Sequence, residues 1–255
     1  MRWQFLSLLA LARAAPNPKN HTRLPHNWGV ALYPAFDILD IAGPIDPLFL
    51  LSFSNQINLT IIAETLDPVP IQPAYSAPNP YNSHFAVSVN PTHTFANPPP
   101  DLDVLLVPGG GADGESNPAS VVDFVRITYP KVQYLITICT GSGVAAQAGV
   151  LDGKRATTNK YAWAEVTPLG PNVKWTSPAR WTVDGNIWTS SGVTSGLDLI
   201  FAFIETYFGT KHARELQGIT EQKRTFDPCD DPFAAWYSIT PVGNCRLGYP
   251  VKKAH

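Results

Sequence analysis

Four stretches of this sequence are apolar over the full length of a strand, and they constrain the fold most. They are "WGVALY" (28–33), "INLTIIAE" (57–64), "DVLLVPGGG" (103–111) and "VQYLITIC" (132–139). A strand with one face in water alternates apolar and polar residues, so continuous apolar runs predict strands that are covered on both faces. Helical patterns separate these runs, and that alternation predicts an α/β fold with a mostly parallel sheet and helices on both faces.

The predicted helices lie between and after these strands. One starts at about Ile45, with Pro44 in the first turn. A second covers "NPASVVDFVRITY" (117–129), with Asn117 as cap and Pro118 at the first helical position. Two more cover "GSGVAAQAGVL" (141–151) and "TSGLDLIFAFIETYFG" (194–209). Residues 65–102 are rich in Pro and Asn. Their alternating "HFAVSVN" predicts a hairpin arm outside the main sheet, and "RWTVDGNIWTSS" (180–191) predicts a hairpin that turns at Asp184-Gly185.

Composition favours one globular domain that acts on small molecules. The chain has 255 residues, of which 44% are hydrophobic and 15% charged, with a net charge of −2. This length can bury a large core as a single domain, which we place at residues 28–221. No run of Lys or Arg provides the positive surface that binding to nucleic acid or an anionic membrane requires, so a small-molecule partner is expected.

The N-terminus resembles a secretory signal peptide. Residues 1–15 combine a positive charge, a short apolar run and an A-x-A pattern, "MRWQFLSLLALARAA". The alternatives are an exposed apolar tail or a membrane anchor. An anchor that spans a bilayer requires about 20 apolar residues, and this apolar run is far shorter. Two N-x-S/T sequons, at Asn20 and Asn58, fit a secreted glycoprotein.

The three cysteines point to one disulfide and one free thiol. Cys229 and Cys245 flank the Pro- and aromatic-rich segment "CDDPFAAWYSITPVGNC", which lies in an irregular C-terminal extension, residues 222–255. Closing such a loop stabilises a fold by about 3 kcal/mol, so we predict that these two residues pair and leave Cys139 free. The alternative is three reduced cysteines in an intracellular protein.

The candidate catalytic residues lie where apolar strands end. Ligands bind at the carboxyl ends of parallel strands, and there the sequence places Asp40, the glycines 109–111 and the turn that starts at Cys139. A cysteine between a strand and a helix has its sulfur near unpaired helix amides, which favour the thiolate, so Cys139 is the predicted nucleophile, with a solvent-reachable sulfur. The alternative is a small buried hydrophobic residue.

The glycine-rich turn "PGGGADG" (108–114) predicts amide donors rather than a nucleotide site. It matches G-x-G-x-x-G, but the next helix starts only near residue 117, and no acidic residue follows at the spacing that ribose binding needs. We expect the N–H groups of Gly110 and Gly111 to stabilise negative charge on a substrate. A plain turn is the alternative.

These motifs together resemble a known family. "VPGGG", the "CTG" turn, "AGVLDGKRATT" and "SSGVTSGLDL" are similar to the ThiJ/PfpI superfamily, which has the class I glutamine amidotransferase-like fold. The nearest branch contains isonitrile hydratases and the N-terminal domains of AraC-type regulators. The resemblance, over about residues 28–208, implies a flavodoxin-like three-layer sandwich with a nucleophile elbow, commonly a homodimer, and it implies neither a cofactor nor a metal.

The resemblance also assigns roles to single residues. Cys139 matches the nucleophile, Asp40 in "LDIAGP" the acid near the thiol, and Thr140 the Thr that follows the nucleophile in isonitrile hydratases. Many relatives have a histidine where this sequence has Asn159, so a Cys-His-acid triad lacks its base. An acid beside a thiol opposes thiolate formation, so Asp40 must be protonated and donate, or relay a proton to substrate. Asp37 is the acid most easily confused with Asp40.

The resemblance favours an isonitrile hydratase-like lyase, and two alternatives stay open. One is a glyoxalase or deglycase acting on 2-oxoaldehydes, and the other is a redox-sensing or ligand-binding module in which Cys139 is oxidised. Several further residues have weaker predictions. Trp163 and Trp188 are expected in the pocket or the core, Asp198 in a first helical turn, and Arg155 in a surface or turn contact. His84 and His93 lack metal-ligand spacing, so no metal is predicted.

Overall fold

The computed structural model describes residues 23–72, 80–111 and 118–246. In these ranges the strands are β1 (Asn27–Ala31), β2 (Asn58–Ala63), β3 (Val69–Pro70), β4 (Ser88–Val89), β5 (His93–Thr94), β6 (Val104–Val107), β7 (Tyr134–Thr137), β8 (Arg155–Ala156), β9 (Lys174–Trp175), β10 (Trp181–Asp184) and β11 (Ile187–Ser190). The α-helices are α1 (Ile38–Leu51), α2 (Ala119–Thr128), α3 (Gly141–Gln147), α4 (Trp163–Val166), α5 (Val193–Tyr207), α6 (Thr210–Thr220) and α7 (Phe233–Trp236). The predicted signal peptide, the Asn20 sequon and Asn117, which was the predicted cap of α2, lie outside these ranges.

Seven of the described strands build one sheet in the order β10-β11-β7-β6-β1-β2-β5, and β3-β4 and β8-β9 form two separate two-stranded sheets. Neighbours in the seven-stranded sheet pair in parallel, except that β10 and β11 form an antiparallel hairpin. Strand β6 lies between β1 and β7, with Leu105 opposite both Gly29 and Leu135. This order confirms the mostly parallel sheet and brings the carboxyl ends of β1, β6 and β7 side by side.

Helices cover both faces of the sheet, as the apolar runs predicted. One face packs against α1, α5 and α6 around Trp28, Trp188 and Phe203, whose rings meet edge to face at 5.3 Å. The other face packs against α2 and α3 around Leu105 and Leu135. Because adjacent residues of each inner strand enter opposite cores, neither face can carry a polar residue at low cost. The chain is therefore an α/β three-layer sandwich with a flavodoxin-like arrangement.

Helix α1 starts earlier than the sequence pattern predicted. The prediction of a start near Ile45 is wrong: the helix begins at Ile38, and Asp37 caps it by accepting the Leu39 N–H at 3.0 Å. Pro44 and Pro47 lie inside the helix, where each lacks the N–H that would bond to the preceding turn. The Asp37 cap, rather than proline, sets the start. As a result, Asp40 lies in the first turn.

The hairpins follow the sequence prediction more closely. Strands β3 and β4 pair outside the main sheet, as the alternation in residues 84–90 predicted. Strands β10 and β11 are joined across Gly185, whose φ of +64° suits glycine because it carries no Cβ. Strand β5, at the sheet edge beside β2, was not predicted, because a two-residue strand has no period to detect. Pro118 occupies the cap position of α2 rather than its first turn.

The C-terminal extension is tied to the domain by a disulfide and by backbone hydrogen bonds. Cys229 and Cys245 are bonded, with a Cα–Cα distance of 5.5 Å, which confirms the predicted pair. Their loop contacts the segment before β10: the Arg180 N–H donates to the Pro228 carbonyl, and Ser177 and Val242 exchange two backbone hydrogen bonds. The described part of the extension, residues 222–246, is therefore packed along the domain.

Asp198 joins this extension to α5 and does not occupy the first helical turn that the sequence suggested. It is buried, forms an ion pair with Arg180 at 2.5 Å and accepts the Thr225 N–H at 3.0 Å. Asp198 thus acts through a specific buried contact rather than through the helix dipole.

The Asn58 sequon lies among the described residues. Asn58 is exposed, but it lies in β2 rather than in a loop, and its Nδ2, the atom that a glycan would modify, donates to Asn27 Oδ1 at 2.7 Å. Within residues 23–72, 80–111 and 118–246, no helix combines the length and apolarity needed to cross a membrane.

Asp198→Asn is expected to lower the free energy of unfolding by about 3 kcal/mol, because it leaves the Arg180 guanidinium without a buried counter-ion. Urea unfolding measures the change. Glu215→Gln, at an exposed acid of α6, is the matched control and should change stability by less than about 0.5 kcal/mol. Equal stability of the two variants would show that Asp198 does not hold the extension.

Candidate active site

The three predicted strand ends converge on one buried cluster. Asp40 Oδ2 accepts the Gly109 N–H at 2.7 Å, which joins α1 to the turn after β6. Thr140 Oγ1 accepts the Gly110 N–H at 2.9 Å, which joins the same turn to the residue after Cys139. The structure therefore brings together the residues that the sequence singled out: the acid, the glycines and the thiol.

Cys139 lies at a strained turn between β7 and α3. Its φ is +56°, in the left-handed region that non-glycine residues seldom occupy. The helix then starts directly at Gly141, where a Cβ would lie 2.3 Å from the Val107 carbonyl oxygen. Only glycine permits this approach, so the turn packs directly against the carboxyl ends of β6 and β7.

The thiol of Cys139 is less exposed and less acidic than the sequence predicted. We expected a solvent-reachable sulfur with a thiolate favoured by helix amides, but the residue is only 6% exposed. Burial, followed by the charge of Asp40, raises the pKa of the Cys139 thiol above its ordinary value, and hydrogen bonds from Asn159 and from the Thr140 backbone only partly oppose this rise. Desolvation of a charge outweighs the amides of a short helix here.

Asp40 is a carboxylic acid rather than a carboxylate near neutral pH. Burial, followed by the negative charge of Asp37, raises the pKa of Asp40 to about 8, against the opposing effect of the Gly109 hydrogen bond. Its Oδ1 is buried and has no hydrogen-bond partner among the described residues. While Asp40 keeps its proton, its charge does not contribute to the raised pKa of Cys139, so the acid and the thiol can share one pocket.

Asn159 is the residue that sequence reasoning missed. It was noted only as the replacement of a histidine, yet its Nδ2 donates to Cys139 Sγ at 3.0 Å. Its Oδ1 accepts the Tyr161 N–H at 2.8 Å, which fixes the orientation of the amide. The signal was present, because the residue at the family's histidine position should occupy the same place beside the sulfur. An amide can donate a hydrogen bond to the sulfur, but it cannot act as a base at neutral pH.

The glycine amides are not free donors, which corrects the expectation for Gly110 and Gly111. The Gly110 N–H donates to Thr140 Oγ1, and the Gly111 N–H donates to the Ala35 carbonyl at 3.1 Å. Thr140 also donates its hydroxyl proton to the Gly110 carbonyl at 3.1 Å. The side chain of Thr140 thus holds the glycine turn, while its backbone N–H faces the sulfur.

A cavity of about 170 Å³ opens beside this cluster, at the ends of β1 and β2. Its described lining is largely apolar and includes Leu32, Val69 and Phe95, with Glu64 at the rim. Tyr33 also lines it, and the pKa of the Tyr33 hydroxyl is raised by burial and then by the charges of Asp40 and Cys139. Tyr33 therefore separates the cavity from the acid and the thiol.

The weaker sequence candidates lie elsewhere. Trp188 is fully buried against Phe203 and belongs to the core. Trp163 packs against Trp175 at 6.2 Å, away from the cavity lining. Arg155 is half-buried and pairs with Asp184, the last residue of β10, at 3.4 Å, which agrees with a contact at a turn. Among the described residues, no group of three or more His, Cys, Asp or Glu side chains is arranged to hold a metal ion.

Comparison with known proteins gives consistent matches. The sequence model of the DJ-1/PfpI family matches residues 48–206. The isonitrile hydratase of Pseudomonas putida is 32% identical over 192 residues, which cover 74% of this chain and 75% of that enzyme. A deglycase from Pyrococcus horikoshii is 31% identical over 114 residues, 44% of this chain and 66% of the deglycase. The crystal structure of a ThiJ/PfpI family protein from Pseudomonas syringae superposes with a TM-score of 0.63 at 25% identity and covers 85% of this chain and 83% of that one.

Asn159→Ala is expected to slow the alkylation of Cys139 by iodoacetamide about tenfold at a fixed pH of about 8. The reason is that a hydrogen bond to a charged group contributes about 1.5 kcal/mol to the thiolate. Cys139 is the one cysteine outside the disulfide, so mass spectrometry of the labelled protein measures its rate directly. Asn172→Ala, at an exposed turn, is the control. An unchanged rate in Asn159→Ala would mean that the amide does not stabilise the thiolate.

Asp40→Asn is expected to remove a pH dependence of stability. The unfolded chain loses the Asp40 proton near pH 4, whereas the folded protein keeps it to about 8, so stability falls as pH rises between these values. Relative to the variant, the wild type should lose up to about 1.4 kcal/mol of unfolding free energy per pH unit between pH 5 and 7.5. Urea unfolding across this range measures the slope, and parallel curves would contradict the raised pKa.

Proposed function

This chain belongs to the DJ-1/PfpI family, and from that premise we propose that it is a cofactor-free cysteine enzyme that hydrates isonitriles. One observation carries the proposal: the thiol of Cys139 lies beside a neutral acid, Asp40, and an amide, Asn159. Cys-His hydrolases activate the thiol with an adjacent base, which neither of these neighbours provides at neutral pH. An acid beside a thiol suits addition to carbon, in which a proton must be delivered.

The proposed reaction balances as the addition of one water molecule. The Cys139 S–H bond breaks, sulfur bonds to the terminal isonitrile carbon, and that carbon receives a proton, which gives a thioformimidate. Asp40 protonates the nitrogen and then, as a carboxylate, takes a proton from the water that attacks the carbon. The C–S bond breaks, the thiol is restored, and an N-substituted formamide leaves.

The burial of Cys139 favours this substrate class. A terminal isonitrile is a linear pair of atoms, so its carbon can reach a 6% exposed residue more readily than the planar, substituted carbonyl of an amide or peptide can.

Two alternatives receive different support. The deglycase match over part of the chain favours an activity on 2-oxoaldehydes as the second candidate, although the amide of Asn159 offers no base for it. A redox sensor is less favoured, because oxidation of a cysteine requires an exposed thiolate. Secretion, glycosylation and a homodimer remain predictions, and the Cys229–Cys245 disulfide supports an oxidising compartment.

Incubation of the protein with cyclohexyl isocyanide tests the proposal, with N-cyclohexylformamide as the expected product. Cys139→Ala should abolish turnover, and Asp40→Asn should lower kcat at least about 100-fold, because proton transfer by a positioned acid contributes that much. Asp46→Asn, an exposed acid on the same helix, is the matched control and should retain the wild-type rate. The protein is also incubated with methylglyoxal, and lactate from this substrate without formamide from the isocyanide would favour the second candidate. A rate that survives Cys139→Ala would reject both enzyme candidates.

A further inference from the structure

Lys160 is a buried amine beside the nucleophile that the proposed reaction does not use. Its side chain is 1% exposed, and Nζ lies within hydrogen-bond distance, 2.8 to 3.1 Å, of the hydroxyls of Thr157 and Ser191 and of the carbonyls of Thr158 and Ala179. Burial lowers the pKa of Lys160 to about 8, and the charge of Asp231 opposes this shift. Such a lysine is rare unless its charge is paired.

The segment that Lys160 holds is the one that contacts Cys139 from the side. Thr158 donates its hydroxyl proton to the Cys139 carbonyl at 3.2 Å, and Asn159 donates its amide to Sγ at 3.0 Å. The Ser191 hydroxyl adds a second bond to the Thr158 carbonyl at 3.2 Å. Movement of this short segment would therefore move both groups that orient the thiol.

The counter-ion of Lys160 comes from the C-terminal extension. Asp231 Oδ2 lies 3.0 Å from Nζ, its side chain is 1% exposed, and the same oxygen accepts the Ala179 N–H at 3.2 Å. Asp231 follows Cys229 by two residues, inside the loop that the disulfide with Cys245 closes. A buried ion pair is a poor source of stability compared with an apolar pair, so its presence next to the thiol calls for another role.

We propose that Asp231 is a positioning residue for the nucleophile: through Lys160 it fixes residues 157–159, and thereby the Asn159 amide on Cys139 Sγ. The extension then completes the active site rather than merely covering the fold. Small displacements of positioning groups cost large factors in rate, which explains why a chain would keep a desolvated ion pair here. The inference rests on the proposed function only in taking Cys139 as the nucleophile, and its test needs no turnover.

Alkylation of Cys139 by iodoacetamide in the full chain tests the proposal. Asp231→Asn should slow it about tenfold at a fixed pH, as Asn159→Ala does. The double variant Asn159→Ala/Asp231→Asn should be no slower than Asn159→Ala alone, within about twofold, because both changes remove the same hydrogen bond. Asp230→Asn makes the same charge change at the neighbouring exposed position and should alkylate at the wild-type rate.

The outcomes separate positioning from general stability. Additive slowing in the double variant, a wild-type rate in Asp231→Asn, or faster alkylation from a loosened fold would each overturn the proposal. If Asp231→Asn fails to fold, the apolar pair Lys160→Met/Asp231→Leu replaces it, since such pairs usually preserve stability. This variant should fold and still alkylate about tenfold slower, and a wild-type rate in it would overturn the proposal. Formamide production is scored separately, so its failure would count against the isonitrile substrate alone.

Discussion

The burial of the Asp40 carboxyl is the constraint on which the site depends. The Asp37 cap starts α1 early enough to bring Asp40 to the carboxyl ends of the central strands, where its Oδ2 accepts the Gly109 N–H at 2.7 Å. Water is excluded there, so the acid keeps its proton near neutral pH. The Asp40 carboxyl lies close to the Cys139 thiol. An ionised carboxyl at this place would oppose the thiolate, whereas a neutral acid can donate a proton to a substrate bound to the sulfur.

Most of the fold could be predicted from local patterns. Continuous apolar runs identify strands buried on both faces, and the alternation with helices limits them to a parallel sheet. The start of α1 could not be predicted in this way, because two prolines inside the helix are stronger local signals than one capping aspartate. The edge strand β5 was not predicted for another reason. Its two residues are extended because they pair with the neighbouring β2, and their own sequence does not favour a strand.

The site was predictable in its members but less so in its chemistry. Cys139 and Asp40 follow from their places at strand ends, together with the family resemblance. The raised pKa of the thiol and the engagement of the Gly110 and Gly111 amides depend on burial and on partners from other elements, which sequence position does not reveal. The Lys160–Asp231 ion pair is the extreme case, because it joins two parts of the chain that are distant in sequence and share no motif.

Carbon-13 NMR of the Asp side-chain carboxyls, with the Asp40 signal assigned by its loss in Asp40→Asn, measures the protonation of Asp40 directly. The account predicts that this signal titrates near pH 8, far above the ordinary range of an aspartate. A titration near pH 4 would show a carboxylate beside the sulfur at neutral pH, and it would contradict the proposed proton delivery to the substrate.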